Sequence, residues 1–405
     1  MLNKKELTDF ITIRKDFHAN PELKYEEYRT SKKISEYLKN WNFDSVVTGI
    51  GKTGVVGVLN GKLKRHHDSR SIGLRADMDA LPMQEENHFS HASRFPGKMH
   101  ACGHDGHTTI LLAAAKKLSE KRNFCGKVNF IFQPAEEGGG GGKAMIEDGL
   151  FQNFPCDEVY ALHNWPGLPE GVFGFNPSAI MGSSNQFEIN IQGKGGHAAM
   201  PHLCIDPILV ASHLVQALQT IISRGVKPVD SVALSVSQIN AGQSPNIISE
   251  SCRLLGTVRT FSEKTLDLVE KRILEICNYL PKTFGASAKL EFLRQYPPTI
   301  NNSKITKLAI DVAKKNFGFE KVIENIEPTM GAEDFAYMLQ KVPGTYFFLG
   351  NGEMTGIHRE KGHGIGPCSL HNSNYDFNDN LIEIGANFWV SLVNSRLKTK
   401  SATTD

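Results

Sequence analysis

No run of about 18 apolar residues occurs anywhere in this 405-residue chain, so no membrane-spanning helix is expected. The opening residues Met1-Leu2-Asn3-Lys4-Lys5-Glu6 lack the apolar stretch of a secretory signal, and a cytoplasmic protein with no membrane partner is expected. No Cys-x-x-Cys pair is present. The seven cysteines, at 102, 125, 156, 204, 252, 277 and 368, are scattered and odd in number, which suits reduced thiols rather than a disulfide framework. An excess of either charge is missing too. Lys and Arg number 45 against 43 Asp and Glu, a formal charge of +2, so there is no global basic field to gather nucleic acid. What is present, 40% hydrophobic and 22% charged residues, is the make-up of a globular chain, and the length accommodates about two to three domains.

Helical spacing begins early. Leu7, Phe10, Ile11, Arg14 and Phe17 follow a 3.6-residue period that His18-Ala19-Asn20-Pro21 ends, and a second helix is expected at 30–38. Strands are expected at 53–59 and 71–75, a polar loop between them at 62–70, then a helix at 108–120. The continuous Val/Phe/Ile run at 127–133 suits a strand buried on both faces, and another short strand at 158–162 ends at His163. Strands alternating with helices predict an α/β fold with a doubly wound, mostly parallel sheet. From about Ser184 the order becomes βαββαβ: strand 186–192, helix 207–223, strands 231–239 and 252–260, helix 263–280, strand 286–295. This predicts an inserted α+β domain at 184–295 within a discontinuous first domain at 1–183 and 296–405. Helix 305–316, a segment at 335–339, strand 345–349 and helix 381–397 complete that first domain, and the tail from Lys398 is polar.

Two glycine patterns do not carry nucleotide chemistry. Gly49-Ile50-Gly51-Lys52-Thr53-Gly54 is followed by a strand, whereas a dinucleotide loop must open a helix whose amides meet the pyrophosphate. The run after Glu137 has Ala144 where a phosphate loop needs a Ser or Thr for magnesium.

The chemistry concentrates in five places. His100-Ala101-Cys102-Gly103-His104-Asp105-Gly106-His107 places a thiol and imidazoles just before a helix, a donor mixture that suits Zn, Mn, Co or Ni. Glu136 and Glu137 follow the buried strand, at the sheet edge where open α/β folds bind ligands. Adjacent extended residues diverge, so one carboxylate can hold metal while the other serves as general base. His163 and His371, each alone, read as structural histidines. Asp77 and Asp79, in Arg75-Ala76-Asp77-Met78-Asp79, follow another strand and could orient a ligand imidazole. Cys102, His104, Glu137, His163 and His371 exceed the four ligands of a single tetrahedral zinc and suit two divalent metal ions sharing a ligand and a water. In the inserted domain, the glycine-loosened turn at 193–202 presents His197, and the loop at 241–246 presents Asn246. Both could donate to an oxyanion if the domain closes over the site.

Together, the blocks at 75–82, 99–108, 133–138, 162–167, 193–202, 331–335 and 370–378 resemble the dinuclear metal amidohydrolases of the hippurate hydrolase and indole-acetyl-amino-acid hydrolase type, a branch of the aminoacylase and carboxypeptidase clan. Ser249 and Ser373 depart from the family pattern, which has proline there. The resemblance implies an α/β catalytic domain with an inserted lid or dimerisation domain, and hydrolysis of an N-acyl-amino acid to a carboxylic acid and a free amino acid. It implies Cys102, His104, Glu137, His163 and His371 as metal ligands, Glu136 as general base and His197 as oxyanion support. It also implies Arg259 as a partner for the substrate carboxylate, and a homodimer or homotetramer formed through the inserted domain. Three alternatives stay open at this point: a dipeptidase or carboxypeptidase of the same clan, a thiol enzyme with Cys102 as nucleophile and His104 as base, and a non-catalytic protein that binds metal or acyl-amino acids.

Overall fold

The computed structural model describes residues 2–63, 70–352 and 369–398. Cys368 lies outside the described residues, as do most of the polar loop expected at 62–70 and the tail beyond 398, while the other six cysteines are free. The chain forms two compact units, one comprising Met1–Ile180, Ile300–Glu327 and Tyr337–Asp405, the other Met181–Thr299 and Pro328–Ala336.

In the larger unit, Asn3 opens helix α1 (Lys4–Ala19) with a reciprocal cap. Its side chain accepts from the Glu6 N–H at 2.9 Å while Glu6 accepts from the Asn3 N–H at 2.7 Å. Then come α2 (Tyr28–Asn40), β1 (Ser45–Ile50), β2 (Gly54–Asn60), β3 (Ser71–Asp77), α3 (His104–Lys121), β4 (Lys127–Gln133), β5 (Glu158–Pro166) and the short β6 (Phe173–Gly174). The smaller unit contributes β7 (Ser184–Gln192), β8 (Gly196–His197), α4 (Pro207–Thr220), β9 (Val232–Asn240), β10 (Ile247–Ile248), β11 (Ser251–Thr260), α5 (Glu263–Tyr279) and β12 (Ser287–Tyr296). The larger unit resumes with α6 (Ser303–Phe317), β13 (Val322–Ile323), β14 (Gly344–Gly352) and α7 (Leu381–Arg396).

Among the described residues, the larger unit's sheet runs in the order β1-β2-β4-β3-β5-β14-β6-β13. β4, β3, β5 and β14 pair in parallel, while β1 and β2 form an antiparallel edge. The fold is therefore mixed α/β with a large, mostly parallel central sheet. Val128, Phe130, Ile131 and Phe132 of β4 are wholly buried, as a strand covered on both faces must be. Several elements reach further than their sequence patterns suggest, and two of them bear on the site. α3 begins at His104 rather than 108, entered through Gly103 in the left-handed region (φ 91°). β5 continues past 162 to Pro166 because β14 goes on pairing beside it, with Phe348 opposite His163. His163 thus sits within a strand instead of closing it.

In the smaller unit, β9-β11-β7-β12 form an antiparallel sheet, and β8 pairs with β10 separately. Alternate residues of β7 (Phe187, Ile189, Ile191) pack against Leu214 and Leu218 of α4 and Val269 and Ile273 of α5, so these helices share one face of the sheet. This unit also holds the return segment 328–336, where the carbonyls of Thr329 and Gly331 accept from the Gly182 N–H at 2.9 and 2.8 Å. That segment has no periodic pattern, so bounds of 184 and 295 drawn from periodicity do not include it.

Replacing Phe130 by Ala at the centre of β4 is expected to destabilise the larger unit by about 3–5 kcal/mol. Denaturant unfolding of the two proteins measures it, and a loss under about 1 kcal/mol would contradict the fully covered strand.

Candidate metal centre and active site

β4, β3 and β5 lie side by side in parallel, so the residues that follow them reach one edge of the sheet. Asp77 ends β3 and Asp79 follows it; Glu136 and Glu137 follow β4 after a two-residue turn. Cys102 and His104 flank Gly103 at the entry to α3. A Cβ on Gly103 would lie 2.2 Å from Asn164 Oδ1, so the close approach requires glycine. His371 is brought from far along the chain by its backbone N–H, which donates to the Ala101 carbonyl at 2.8 Å.

The result is a nest of donor atoms. Those of Cys102, His104 and His163 lie within 4.8 Å of one another, as do those of Cys102, Glu137 and His371, and those of His104, Glu136 and Glu137. Cys102 belongs to the first two sets, and Glu137 to the last two. The five residues expected as ligands, and Glu136 with them, are therefore neighbours in space.

Hydrogen bonds aim these donors. His163 Nδ1 is 2.7 Å from the Asn164 carbonyl, which can only accept, so the ring proton lies on Nδ1 and the Nε2 lone pair faces Cys102 Sγ at 3.4 Å. His104 Nδ1 lies 3.2 Å from Asp79 Oδ1, and its buried Nε2 has no hydrogen-bond partner among the described residues. Glu137 Oε1, 3.1 Å from His371 Nε2, is likewise buried without a hydrogen bond. Donor atoms pointed at one another and left unsatisfied fit a cation between them.

The electrostatics agree. Burial opposes charge on His104, yet Asp77, Asp79 and Glu137 push it up to about 10. A buried excess of carboxylate calls for positive charge. Burial, reinforced by Glu137 and Glu136, pushes the Cys102 thiol well above its ordinary range. A thiol nucleophile needs the opposite shift, whereas a divalent cation would hold the sulfur as thiolate. Among the described residues, the imidazole at hydrogen-bond distance from that sulfur is His163, at 3.4 Å, whereas the Nε2 of His104, which a thiol mechanism would pair with it, makes no hydrogen bond.

Asp79 and Asp77 do different things. Asp79 orients His104 and also accepts from the Glu137 N–H at 2.9 Å. The short contact of Asp77 is to His107 Nδ1, at 2.6 Å, with Arg75 donating to its other oxygen at 2.8 Å; its nearest approach to His104 is 3.8 Å. His107 in turn accepts from the Asn164 N–H at 2.9 Å. Sequence reasoning left His107 without a role.

It also missed a brace behind the site. Arg14 of α1 is buried and donates to Asp376 at 2.7 Å and Asp379 at 2.8 Å, in the stretch after His371. One turn on, His18 Nδ1 lies 2.8 Å from Asp105, beside His104, and Nε2 lies 3.2 Å from Glu85. One helix thereby ties down two of the segments that carry donors, the start of α3 and the stretch after His371. The available signal was an arginine on the apolar face of the α1 period.

In the smaller unit, His197 is exposed on β8, and its Nδ1 accepts from the Ala199 N–H at 3.0 Å, leaving the ring proton on Nε2. Ile247 pairs opposite His197, and the Asn246 carbonyl accepts from the Ala198 N–H at 3.0 Å, so these two loops are joined. Arg259 is half-buried on β11; its guanidinium makes no hydrogen bond or ion pair among the described residues and lines a cavity of about 680 Å³ with Gln186, Thr257 and Glu291.

Peptidase family M20/M25/M40 matches residues 73–395, a span containing every donor of the nest. The chain belongs to this family. Over 390 residues it is 41% identical to a hippurate hydrolase of Campylobacter jejuni, covering 96% of this chain and 97% of that one. It is 40% identical over 341 residues to an N-acetyl-L-cysteine deacetylase of Bacillus subtilis, covering 84% and 80%. Among solved structures, a dinuclear metal-binding peptidase of family M20 from Bacillus subtilis superposes with a TM-score of 0.83 at 29% identity, covering 98% of this chain and 99% of that one. As an M20 protein the chain is a hydrolase, and its donor nest supplies candidate metal ligands. Among the described residues, no helix is long and apolar enough to cross a membrane.

The brace predicts a pH dependence. Although burial opposes it, Asp105 and Glu85 raise His18 from its ordinary 6.5 to about 10 in the folded protein. The stability from this pairing is complete below about pH 6.5 and is lost as pH rises toward 10, at up to about 1.4 kcal/mol per pH unit. Denaturant unfolding across that window should show a steeper decline for the parent than for His18→Gln; equal slopes would refute the pairing.

Proposed function

We propose that this M20 hydrolase uses two divalent metal ions to hydrolyse the amide bond of N-acyl-L-amino acids, releasing a carboxylic acid and a free amino acid. The observation that carries the reading is the sharing of Cys102 between two donor sets, one completed by His104 and His163, the other by Glu137 and His371. Five donors, the shared thiol among them, suit two ions better than one. The names of the relatives, a hippurate hydrolase and an N-acetyl-L-cysteine deacetylase, support an acylated amino acid as substrate. The donor mixture accepts Zn, Mn, Co or Ni.

A cation pair held there would supply an acidified water and polarise the scissile carbonyl. Glu136, buried beside Glu137, takes the proton from the attacking water and later delivers it to the departing amine. Asp79 keeps His104 aimed and anchors the backbone of Glu137. His197 offers Nε2–H to the developing oxyanion, because its Nδ1 is already occupied by the Ala199 amide. Asn246, joined to the same loop, adds an amide, and the uncommitted guanidinium of Arg259 suits the substrate carboxylate. Assembly as a homodimer or homotetramer through the smaller unit is supported by the exposed Ile208 (47%) and Leu209 (50%) on α4.

Metal analysis and a panel of N-acyl-amino acids, with and without chelator, test the reading together. Chelation should abolish turnover, and readdition of a divalent metal should restore it. Glu136→Gln should keep its metal content while kcat falls roughly a hundredfold or more; turnover at the parent rate would remove Glu136 as the base. Cys102→Ala should lose bound metal, and an unchanged stoichiometry would contradict the shared-ligand role.

A further inference from the structure

The turn that carries Glu136 and Glu137 is held at both ends by a segment more than a hundred residues earlier in the chain. Ala135, just before the pair, has φ 54° and ψ 41°, the left-handed region, which costs a residue with a Cβ roughly 1 kcal/mol. Its N–H donates to Glu27 Oε1 at 2.9 Å, and the other oxygen of Glu27 accepts from Thr53 Oγ1 at 2.5 Å. At the far end of the turn, the Tyr25 hydroxyl donates to the Gly139 carbonyl at 2.8 Å. Glu27 is wholly buried and has no cationic partner among these contacts. Burial, with the Asp79 carboxylate adding to it, pushes Glu27 up to about 7. A carboxyl kept in such a place is unfavourable for the fold in itself, and an apolar side chain of like size would avoid the penalty.

We infer that Glu27 is a positioning residue, with Tyr25 as its counterpart: the two clamp the 135–139 turn so that Glu136 and Glu137 diverge toward their separate tasks. The inference rests on the roles given to those two glutamates above. Glu27 touches neither substrate nor metal in this scheme and acts through the Ala135 amide alone. What matters is therefore the reach of an acceptor to that amide. Gln at position 27 keeps the reach without the charge; Asp keeps the charge but falls one methylene short.

The test compares the parent with Glu27→Gln, Glu27→Asp, Tyr25→Phe and Glu136→Gln, each loaded with cobalt(II). The readouts are cobalt affinity, the visible cobalt spectrum, and kcat and KM on an N-acyl-amino acid. Glu27→Asp should lose about tenfold or more in kcat with KM little changed, bind cobalt more weakly and show a shifted spectrum. Glu27→Gln should keep the parent spectrum and turn over at least about tenfold faster than Glu27→Asp. A parent-like spectrum and kcat in Glu27→Asp, or equal damage from Gln and Asp, overturns the inference. If Glu27→Asp lacks a cooperative melt, Tyr25→Phe decides: a shifted spectrum supports the clamp, and a parent spectrum with parent kcat overturns it. Full activity in Glu136→Gln would instead sink the base assignment, while the cobalt spectra of the other variants would still report the geometry of the turn.

Discussion

Carboxylates and imidazoles crowded around one buried thiol create the constraint on which the larger unit depends. Such groups are stable out of water only when each is held in place and their charges are balanced. The surroundings show how this is met. Asp79 fixes His104 and the Glu137 backbone, a main-chain carbonyl sets the His163 tautomer, and Asp77 with Arg75 fixes the neighbouring His107. The backbone is bent to suit: left-handed residues stand at Gly103 (φ 91°), Ala135 (φ 54°), Gly138 (φ 72°) and His371 (φ 65°), each at or beside a donor. At Ala135 and His371, which carry a Cβ, this conformation is strained and persists only where the surrounding contacts outweigh it.

Those contacts come from two directions. The parallel strands supply a rigid edge from which Asp77, Glu136 and Glu137 emerge at fixed spacing. The N-terminal segment supplies the other restraint, through Arg14 and His18 of α1 and through Tyr25 and Glu27 in the connection from α1 to α2. The first forty residues thus touch the loops of the donor nest without contributing a donor themselves. In the smaller unit the same economy appears, where one short β-pair joins the His197 turn to the Asn246 loop. The smaller unit's sheet leaves Arg259 lining an open cavity with no committed partner.

How much of this could be read in advance depended on the range of the interaction. The alternation of strands and helices, and the change of rhythm near Ser184, are local patterns and were legible. The Cys102–His104 cluster and the paired carboxylates stood out as well, because thiol, imidazole and acids at the ends of apolar runs contrast with their neighbours; His163 and His371, each alone, read as structural histidines. The pairing of Asp77 with His107 was not legible, since two aspartates two residues apart look alike until the histidines that meet them are placed. Arg14 followed the helical period of α1, but nothing local says that such an arginine will meet Asp376 and Asp379, more than 360 residues away.

By itself, the sequence determined the fold class, the kind of chemistry and the residues from which candidate donors are drawn, because propensity, periodicity and side-chain type act over a few residues at a time. Only the tertiary structure decided which donors share a neighbour, which acid steers which imidazole, and that Glu27 meets the amide before Glu136. Those outcomes follow from which strands lie side by side and which loops they bring together, and the packing of the whole unit sets that arrangement.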